Sequence, residues 1–176
     1  MKTEDPQIIA KAPAACSDAE IADFVALVLV GNEVIPRGLE GRVRSAERIA
    51  FLRESGCLLG VAGLKHPSQN HRNEVASLSG VPLPSKEFPF ELGWVFILPS
   101  ARGRHLSLLL CRPLIESAAV QGVFATSKIA NGSIHSTLSK LGFLSAGVAY
   151  QSPRGNYQLQ AFLRLPPTPV LQRMRR

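Results

Sequence analysis

The sequence predicts an α/β fold, because segments with strand character and segments with helix character alternate along most of the chain. Cys57 to Leu64 is a nearly continuous apolar run, typical of a central strand. From Ser17 to Gly31, apolar residues recur at helical spacing, and Ser17 with Glu20 forms a capping-box pattern. In Glu91 to Leu110, an apolar strand is followed by a polar turn and then by a helix.

Length and composition favour one soluble globular domain. The chain has 176 residues, of which 45% are hydrophobic and 19% charged. No apolar run approaches the roughly 20 residues that a membrane helix needs, and the polar, acidic N-terminus is not typical of a secretory signal. The three cysteines are odd in number and widely spaced. We therefore expect a cytoplasmic protein without a disulfide framework and without a membrane partner.

The N-terminal half is predicted to contain a first strand, one or two helices and a hairpin. Their segments are Gln7–Ala10 (strand), Ser17–Gly31 (helix), Gly38–Ala46 (short helix), and Arg48–Arg53 with Cys57–Leu64 (hairpin). Lys65 to Pro89 contains four prolines and is predicted to be the least regular part of the chain. Within it, Asn73 to Leu78 could form one or two helical turns.

The C-terminal half is predicted to continue the alternation of strands and helices. Its segments are Glu91–Leu98 (strand), Arg104–Val120 (helix), Gly122–Ser127 (strand), Asn131–Leu141 (helix), and Phe143–Tyr150 with Tyr157–Leu165 (antiparallel pair). We expect residues 1–165 to form the domain and residues 166–176 a basic, Pro-rich tail.

The turn after the strand at Glu91–Leu98 is a candidate anion site. The first N–H groups of a helix have no internal partner, and the helix dipole adds partial positive charge there. Arg102 and Arg104 lie in the same turn and would add full charges. A diphosphate is an anion that suits such a site.

Two segments resemble consecutive motifs of the GNAT superfamily of acyl-CoA-dependent N-acetyltransferases. The first motif follows an apolar strand and a proline, and Arg102, His105 and Ser107 stand at its Gln/Arg, first Gly and final positions. The second runs without a gap from Asn131 to Phe143, as NGSIHSTLSKLGF. The chain departs from the motifs at His105, which replaces a glycine, and at Leu138, which replaces a tyrosine.

The resemblance implies a fold and a co-substrate. The fold is a single mixed, mostly antiparallel sheet of six to seven strands, flanked by about four helices and splayed at its central strands. The co-substrate is acetyl-CoA, with no metal. The residues that would bind it are Phe96, Ile97 and Leu98 by backbone groups along the pantetheine arm, Arg102, Gly103, Arg104, His105, Leu106 and Ser107 at the diphosphate, and Asn131 from the next helix.

The resemblance also implies a direct transfer of the acetyl group to a primary amine, with Glu91 as the general base. Apolar neighbours of Glu91 would raise its pKa by desolvation. The usual general acid is replaced by Leu138, so another donor would have to act. The candidates are Tyr150, Tyr157, Ser136 and His135.

Several alternatives stay open at this point. The acceptor could be a small molecule or a protein amine, and a homodimer is common in the superfamily. A non-catalytic acyl-CoA-binding sensor or interaction module is the main rival, because Leu138 cannot donate a proton. The net charge of +7 would permit nucleic acid, but no aromatic–basic interleaving supports that partner. His66 and His71 lack a cysteine partner at zinc spacing, so a metal site is not predicted.

Overall fold

The structure, a computed structural model, describes residues 5–167. Seven strands form one sheet: β1 Gln7–Lys11, β2 Arg48–Glu54, β3 Cys57–Lys65, β4 Phe90–Ile97, β5 Val123–Lys128, β6 Leu144–Gln151 and β7 Gln158–Arg164. Five α-helices accompany them: α1 Asp18–Val30, α2 Leu39–Arg44, α3 Gln69–Ser79, α4 Leu106–Ser117 and α5 Gly132–Lys140. Residues 168–176 of the predicted tail lie outside the described residues.

The sheet has the strand order β1-β2-β3-β4-β5-β7-β6. All neighbouring strands are antiparallel except β4 and β5, which are parallel. A mixed, mostly antiparallel sheet was the prediction, and it is confirmed. The helices number five rather than about four, because α3 was predicted only as a turn or two.

Helices cover both faces of the sheet. α4 and α5 pack on one face, where Leu110, Leu114 and Leu138 join the largest core cluster. α1 and α2 pack on the other face of the first strands, around Phe24 and Phe51. None of the helices in residues 5–167 has the length and apolar character needed to cross a membrane.

The helix α3 corrects the prediction of an irregular segment between Lys65 and Pro89. The Ser68 hydroxyl caps its start by accepting a hydrogen bond from the backbone N–H of His71, at 3.2 Å. Gly80 ends it in the left-handed conformation, at φ 72°. Periodicity missed the helix because it buries little apolar surface; its buried residues are Arg72, Val75 and Ser79.

A buried arginine holds α3 against the rest of the domain. Arg72 is 4% exposed and donates hydrogen bonds to the carbonyls of Leu83 and Phe88. Its guanidinium also lies 5.6 Å from the ring centroid of Phe124, on β5. These polar contacts add to the small apolar surface that Val75 and Ala76 pack against the core.

A bulge changes the direction of the side chains in β4. Val61 pairs with Phe96 and Gly63 with Gly93, so β4 has one extra residue opposite β3. Trp94 occupies the bulge with φ 53°, which is unusual for a side chain of its size. Simple alternation would place Trp94 on the same face as Leu92. Instead, Trp94 packs against the α1 side, while Leu92 faces α4.

The strands β4 and β5 separate soon after they meet. Their pairing consists of Phe90 with Val123 and Glu91 with Phe124. Beyond Glu91 the two strands diverge, as the prediction of splayed central strands requires. The helix α4 begins at Leu106 rather than at Arg104, because His105 adopts the left-handed conformation at φ 57°.

Candidate active site

A cavity of about 1410 Å³ opens where β4 and β5 diverge. Glu91 borders it at the start of the splay, and the loop of residues 102–107 borders it beyond the opposite end of β4. The start of α5 and the helix α3 also contribute to its wall. One cavity therefore joins the predicted anion loop to the predicted base.

The loop of residues 102–107 presents unused backbone donors. Gly103 and His105 both have positive φ values, 79° and 57°. The backbone N–H groups from Gly103 to Ser107 donate to no acceptor in residues 5–167. Together with the dipole of α4, these donors form the kind of concavity that binds phosphate oxygens. His105 thus adopts the backbone conformation that a glycine would adopt more readily.

The two arginines of the loop lie in different surroundings. Arg102 lines the cavity, its Nε donates to the carbonyl of Ile97 at 3.0 Å, and its guanidinium lies 5.6 Å from the ring of Phe96. Arg104 pairs instead with Glu54, with Nη1 3.1 Å from Oε2, and does not line the cavity. Of these two arginines, the structure brings only Arg102 to the cavity.

The remaining predicted cofactor residues mostly border the cavity. Phe96, Ile97, Leu106, Ser107 and Asn131 line it. Leu98 does not; it packs against the cluster on the α1 side, and its backbone N–H donates to the carbonyl of Leu59 in β3, at 2.8 Å.

Asn131 and Ser107 also have structural contacts. Asn131 caps α5 by accepting a hydrogen bond from the backbone N–H of Ile134, at 3.2 Å. The Ser107 hydroxyl lies 2.8 Å from that of Thr137, which ties α4 to α5.

Glu91 is buried in a cluster with two basic side chains. It is 4% exposed. Its Oε2 lies 2.9 Å from Nζ of Lys65 and 3.1 Å from Nε2 of His71. Within residues 5–167, neither Oε2 nor Nε2 has a well-aligned hydrogen-bond partner. Lys65 contacts the carboxylate as an ion pair, and the His71 contact is ionic only when the imidazole is protonated. We call Lys65, His71 and Glu91 the carboxylate cluster.

The carboxylate cluster reverses the expected shift at Glu91. Burial raises the pKa of Glu91, as predicted, but Lys65 and His71 together lower it by a larger amount, and the net result is a pKa of about 2. The expectation of a raised pKa was therefore wrong. The sequence neighbours of Glu91 are apolar, whereas its spatial neighbours are the basic side chains of Lys65 and His71.

The predicted substitutes for a general acid are unequally placed. Tyr150, Tyr157 and Ser136 line the cavity. Burial, followed by the charges of Glu91 and Glu74, raises the pKa of Tyr150 to about 12. His135 does not line the cavity, since its ring nitrogen contacts the carbonyl of Lys128 at 3.0 Å.

Leu138, His66 and His71 are the remaining residues that the sequence singled out. Leu138 is 1% exposed, packs in the core and borders the cavity. His66 contacts Glu47 and His71 contacts Glu91, so they have separate partners. In the described part of the chain, no group of three His, Cys, Asp or Glu side chains could hold a metal ion.

Lys65 and His71 are the site residues that sequence reasoning missed. Lys65 is directly opposite Glu91 in the β3–β4 register. His71 reaches Glu91 only because residues 69–79 form a helix. The available signals were a lysine at the end of an apolar strand, and the Ser68 and Gly80 caps on either side of a polar segment.

No protein-family model matches the chain, and no curated protein matches it in sequence. Solved structures do resemble it. ElaA of Escherichia coli has a TM-score of 0.68 at 12% identity, covering 91% of this chain and 99% of that one. An acyl-CoA N-acyltransferase of Pseudomonas aeruginosa has a TM-score of 0.66 at 15% identity, with the same two coverages.

A third structure resembles the chain over almost its full length. YncA of Salmonella typhimurium, described as an acetyltransferase with its cofactor acetyl-CoA, has a TM-score of 0.64 at 15% identity. The likeness covers 96% of this chain and 98% of that one. The chain therefore has the fold of the GNAT acetyltransferases, which the two motifs predicted.

Proposed function

We propose that the protein transfers an acetyl group from acetyl-CoA to a primary amine. The observation that carries this proposal is the single cavity along β4, with unused backbone donors beyond one end of the strand and a buried carboxylate at the other. A molecule with a diphosphate at one end and a thioester at the other matches this arrangement. Acetyl-CoA is present in the structure of YncA, which has the same fold.

The cofactor would lie along the splayed edge of β4. The loop N–H groups and Arg102 would bind the diphosphate. Phe96 and Ile97 would border the pantetheine arm, and Asn131 would approach the cofactor from α5. The acetyl group would then lie toward Glu91. Holding both reactants in one cavity can contribute several kcal/mol to the rate.

In the proposed reaction, the amine nitrogen attacks the thioester carbonyl carbon and the carbon–sulfur bond breaks. The nitrogen loses a proton to Glu91, directly or through water, and the thiolate of CoA leaves. A pKa of about 2 makes Glu91 a weak base while Lys65 contacts it. An acceptor amine that displaces Lys65 would remove the positive charge that contributes most to lowering this pKa, and Glu91 would become more basic.

Calorimetric titration with acetyl-CoA and CoA tests the cofactor assignment. We expect Arg102→Ala to weaken binding by roughly 10- to 100-fold, since a hydrogen bond to a charged group contributes about 1.5–3 kcal/mol. The matched control is Arg104→Ala, because Arg104 belongs to the same loop but pairs with Glu54. Absence of acetyl-CoA binding, or equal losses in both variants, would contradict the proposed position.

The rival function is a module that binds acyl-CoA without turnover. Two observations favour it: Leu138 offers no proton, and the carboxylate cluster lowers the pKa of Glu91. Release of CoA can be followed with a panel of small amines, amino acids and peptides. An enzyme should lose CoA release in Glu91→Gln while keeping its affinity for acetyl-CoA. A binding module should show no release with any acceptor.

A further inference from the structure

Lys65 places a primary amine of the chain itself inside the cavity. Its Nζ lies 2.9 Å from Oε2 of Glu91 and 5.3 Å from the ring centroid of Trp94, the bulge residue. The Lys65 side chain is 20% exposed and lines the cavity. A lysine at the end of a strand would ordinarily extend its amine into water. Here the amine lies against β4 instead.

The route of the Lys65 side chain depends on a glycine. A Cβ atom at Gly93 would lie 2.7 Å from Cε and 2.9 Å from Nζ of Lys65. The lysine therefore crosses the backbone of β4 at Gly93, next to the bulge at Trp94. This is the stretch where β4 has left β5 and borders the cavity.

The proposed reaction requires a primary amine beside a carboxylate in this cavity, and Lys65 meets both conditions. We propose that Lys65 is acetylated by the acetyl-CoA bound to its own chain when no external amine occupies the cavity. This inference rests on the proposed function and adds a modification site to it. The Lys65–Glu91 contact then represents the position that an external acceptor amine takes in turnover.

The atoms of this step balance without a further reactant. The Lys65 ammonium loses one proton to the cluster at Glu91, and its nitrogen then forms a bond to the acetyl carbonyl carbon. The carbon–sulfur bond breaks, and the thiolate of CoA takes the second proton that the nitrogen loses. The products are acetyl-lysine, CoA and one proton that passes from Glu91 to water.

Lys128 provides a matched control within the same molecule. It also lines the cavity, and its Nζ also lies 2.9 Å from a carboxylate oxygen, that of Glu33. Its partner is 55% exposed, whereas Glu91 is buried. Chemical acetylation by acetyl-CoA would modify Lys128 as well as Lys65. A reaction that depends on the buried carboxylate would favour Lys65.

The experiment is incubation of the purified full chain with acetyl-CoA and no added amine. Digestion with a protease that does not cleave at lysine, followed by mass spectrometry, measures the acetylated fraction of each lysine over time. We expect Lys65 to react at least about tenfold faster than Lys128, because a positioned base typically contributes on the order of 10²-fold or more. Excess CoA should suppress the difference by competition.

Two variants complete the test. Lys65→Arg keeps the positive charge beside Glu91 and should bind acetyl-CoA normally without gaining an acetyl group at position 65. Glu91→Gln should bind acetyl-CoA but slow the modification of Lys65 toward the rate of Lys128. Calorimetry with acetyl-CoA checks that each variant is folded and competent to bind.

Failure of the self-acetylation proposal can be distinguished from failure of the proposed function. If the wild-type chain binds acetyl-CoA and Lys65 reacts no faster than Lys128, self-acetylation is overturned while the proposed function stands. If the chain does not bind acetyl-CoA, the proposed function is overturned and the inference falls with it.

Discussion

At the scale of single residues, the behaviour of the site depends on which charges surround Glu91. The carboxylate lies in an apolar sequence context, yet Lys65 and His71 contact it from β3 and α3. Taking one partner away from a buried ion pair is generally costly, because the other charge is left without compensation. The carboxylate cluster therefore contributes to stability as well as to the proposed chemistry.

Acid should weaken the fold through Glu91. The folded-state pKa is depressed from 4.5 to about 2, so its contribution is present above the unfolded-state pKa and is lost as the pH falls toward about 2. The shift corresponds to about 3 kcal/mol of unfolding free energy. Urea unfolding of wild type and Glu91→Gln, repeated between pH 5 and pH 2, gives the unfolding free energy of each as a function of pH. The difference between the two pH slopes measures this contribution.

Glu54→Gln is the control for the acid measurement. Glu54 also has a lowered pKa, because Arg104 donates hydrogen bonds to it, but the pair lies at the surface. We expect the unfolding free energy of Glu54→Gln to change with pH almost as that of wild type does. If the unfolding free energies of wild type and Glu91→Gln had the same pH slope, the ion-pair account of the cluster would be contradicted.

Gly93→Ala should disturb the carboxylate cluster and, through it, destabilise the fold. The new methyl group would contact Cε and Nζ of Lys65, which is the flexible end of a side chain and can move away. Because the displaced lysine leaves the buried Glu91 without one of its compensating charges, we expect a stability loss of roughly 1–3 kcal/mol at neutral pH. Because the lysine would leave Glu91, the pKa of Glu91 should rise, and the acid-dependent loss of stability should begin at higher pH. An unchanged acid profile would show that Lys65 keeps its contact.

At the scale of elements, α3 and the β4 bulge decide where the site residues lie. α3 brings His71 to Glu91, although its sequence is mostly polar. The bulge places Trp94 against Gly63, where a Cβ atom would lie 2.5 Å from the indole ring. Both features depend on contacts between segments that are distant in the chain.

Two glycine substitutions, one at the end of α3 and one in α2, should change the free energy of unfolding in opposite directions. Gly80→Ala forces a side chain into the left-handed conformation at φ 72° and should cost roughly 1–2 kcal/mol. Gly41→Ala, in α2, meets no atom within 4 Å and should stabilise the fold by roughly 0.5–1 kcal/mol. Urea unfolding at neutral pH measures both, and two changes of the same sign would contradict this account.

At the scale of the whole molecule, the sheet consists of two antiparallel parts joined at one short parallel contact. β1 to β4 form one part, and β5 to β7 the other. A ligand that lies between β4 and β5 would contact both parts. Its binding should therefore stabilise the whole fold rather than one loop.

Acetyl-CoA should raise the thermal midpoint of unfolding. At a free concentration about 100 times Kd, binding contributes about 2.7 kcal/mol. For a chain of this size, that free energy corresponds to a rise of roughly 5–10 °C. Differential scanning fluorimetry with wild type, Arg102→Ala and Arg104→Ala measures it. The rise should shrink in the Arg102 variant and persist in the Arg104 variant.

Some of the site was predictable because its signals are local. The loop of residues 102–107, the Asn131 cap and Glu91 each belong to a motif or to a strand–turn–helix pattern, and the structure places most of them around one cavity. The partners of Arg104 and Leu98 were not predictable, since Glu54 and Leu59 lie on other strands. Neither residue lines the cavity.

The sequence by itself determined the class of fold, the strand–turn–helix that includes the loop of residues 102–107, and the presence of a carboxylate at the start of β4. These follow from periodicity, capping residues and motif spacing, which act over a few neighbouring residues. Only the tertiary structure decided the charge state of Glu91, the orientation of Lys65 and the position of His71. Those properties depend on strand register, on the packing of α3 and on burial, because electrostatic interactions follow distance in space rather than distance along the chain.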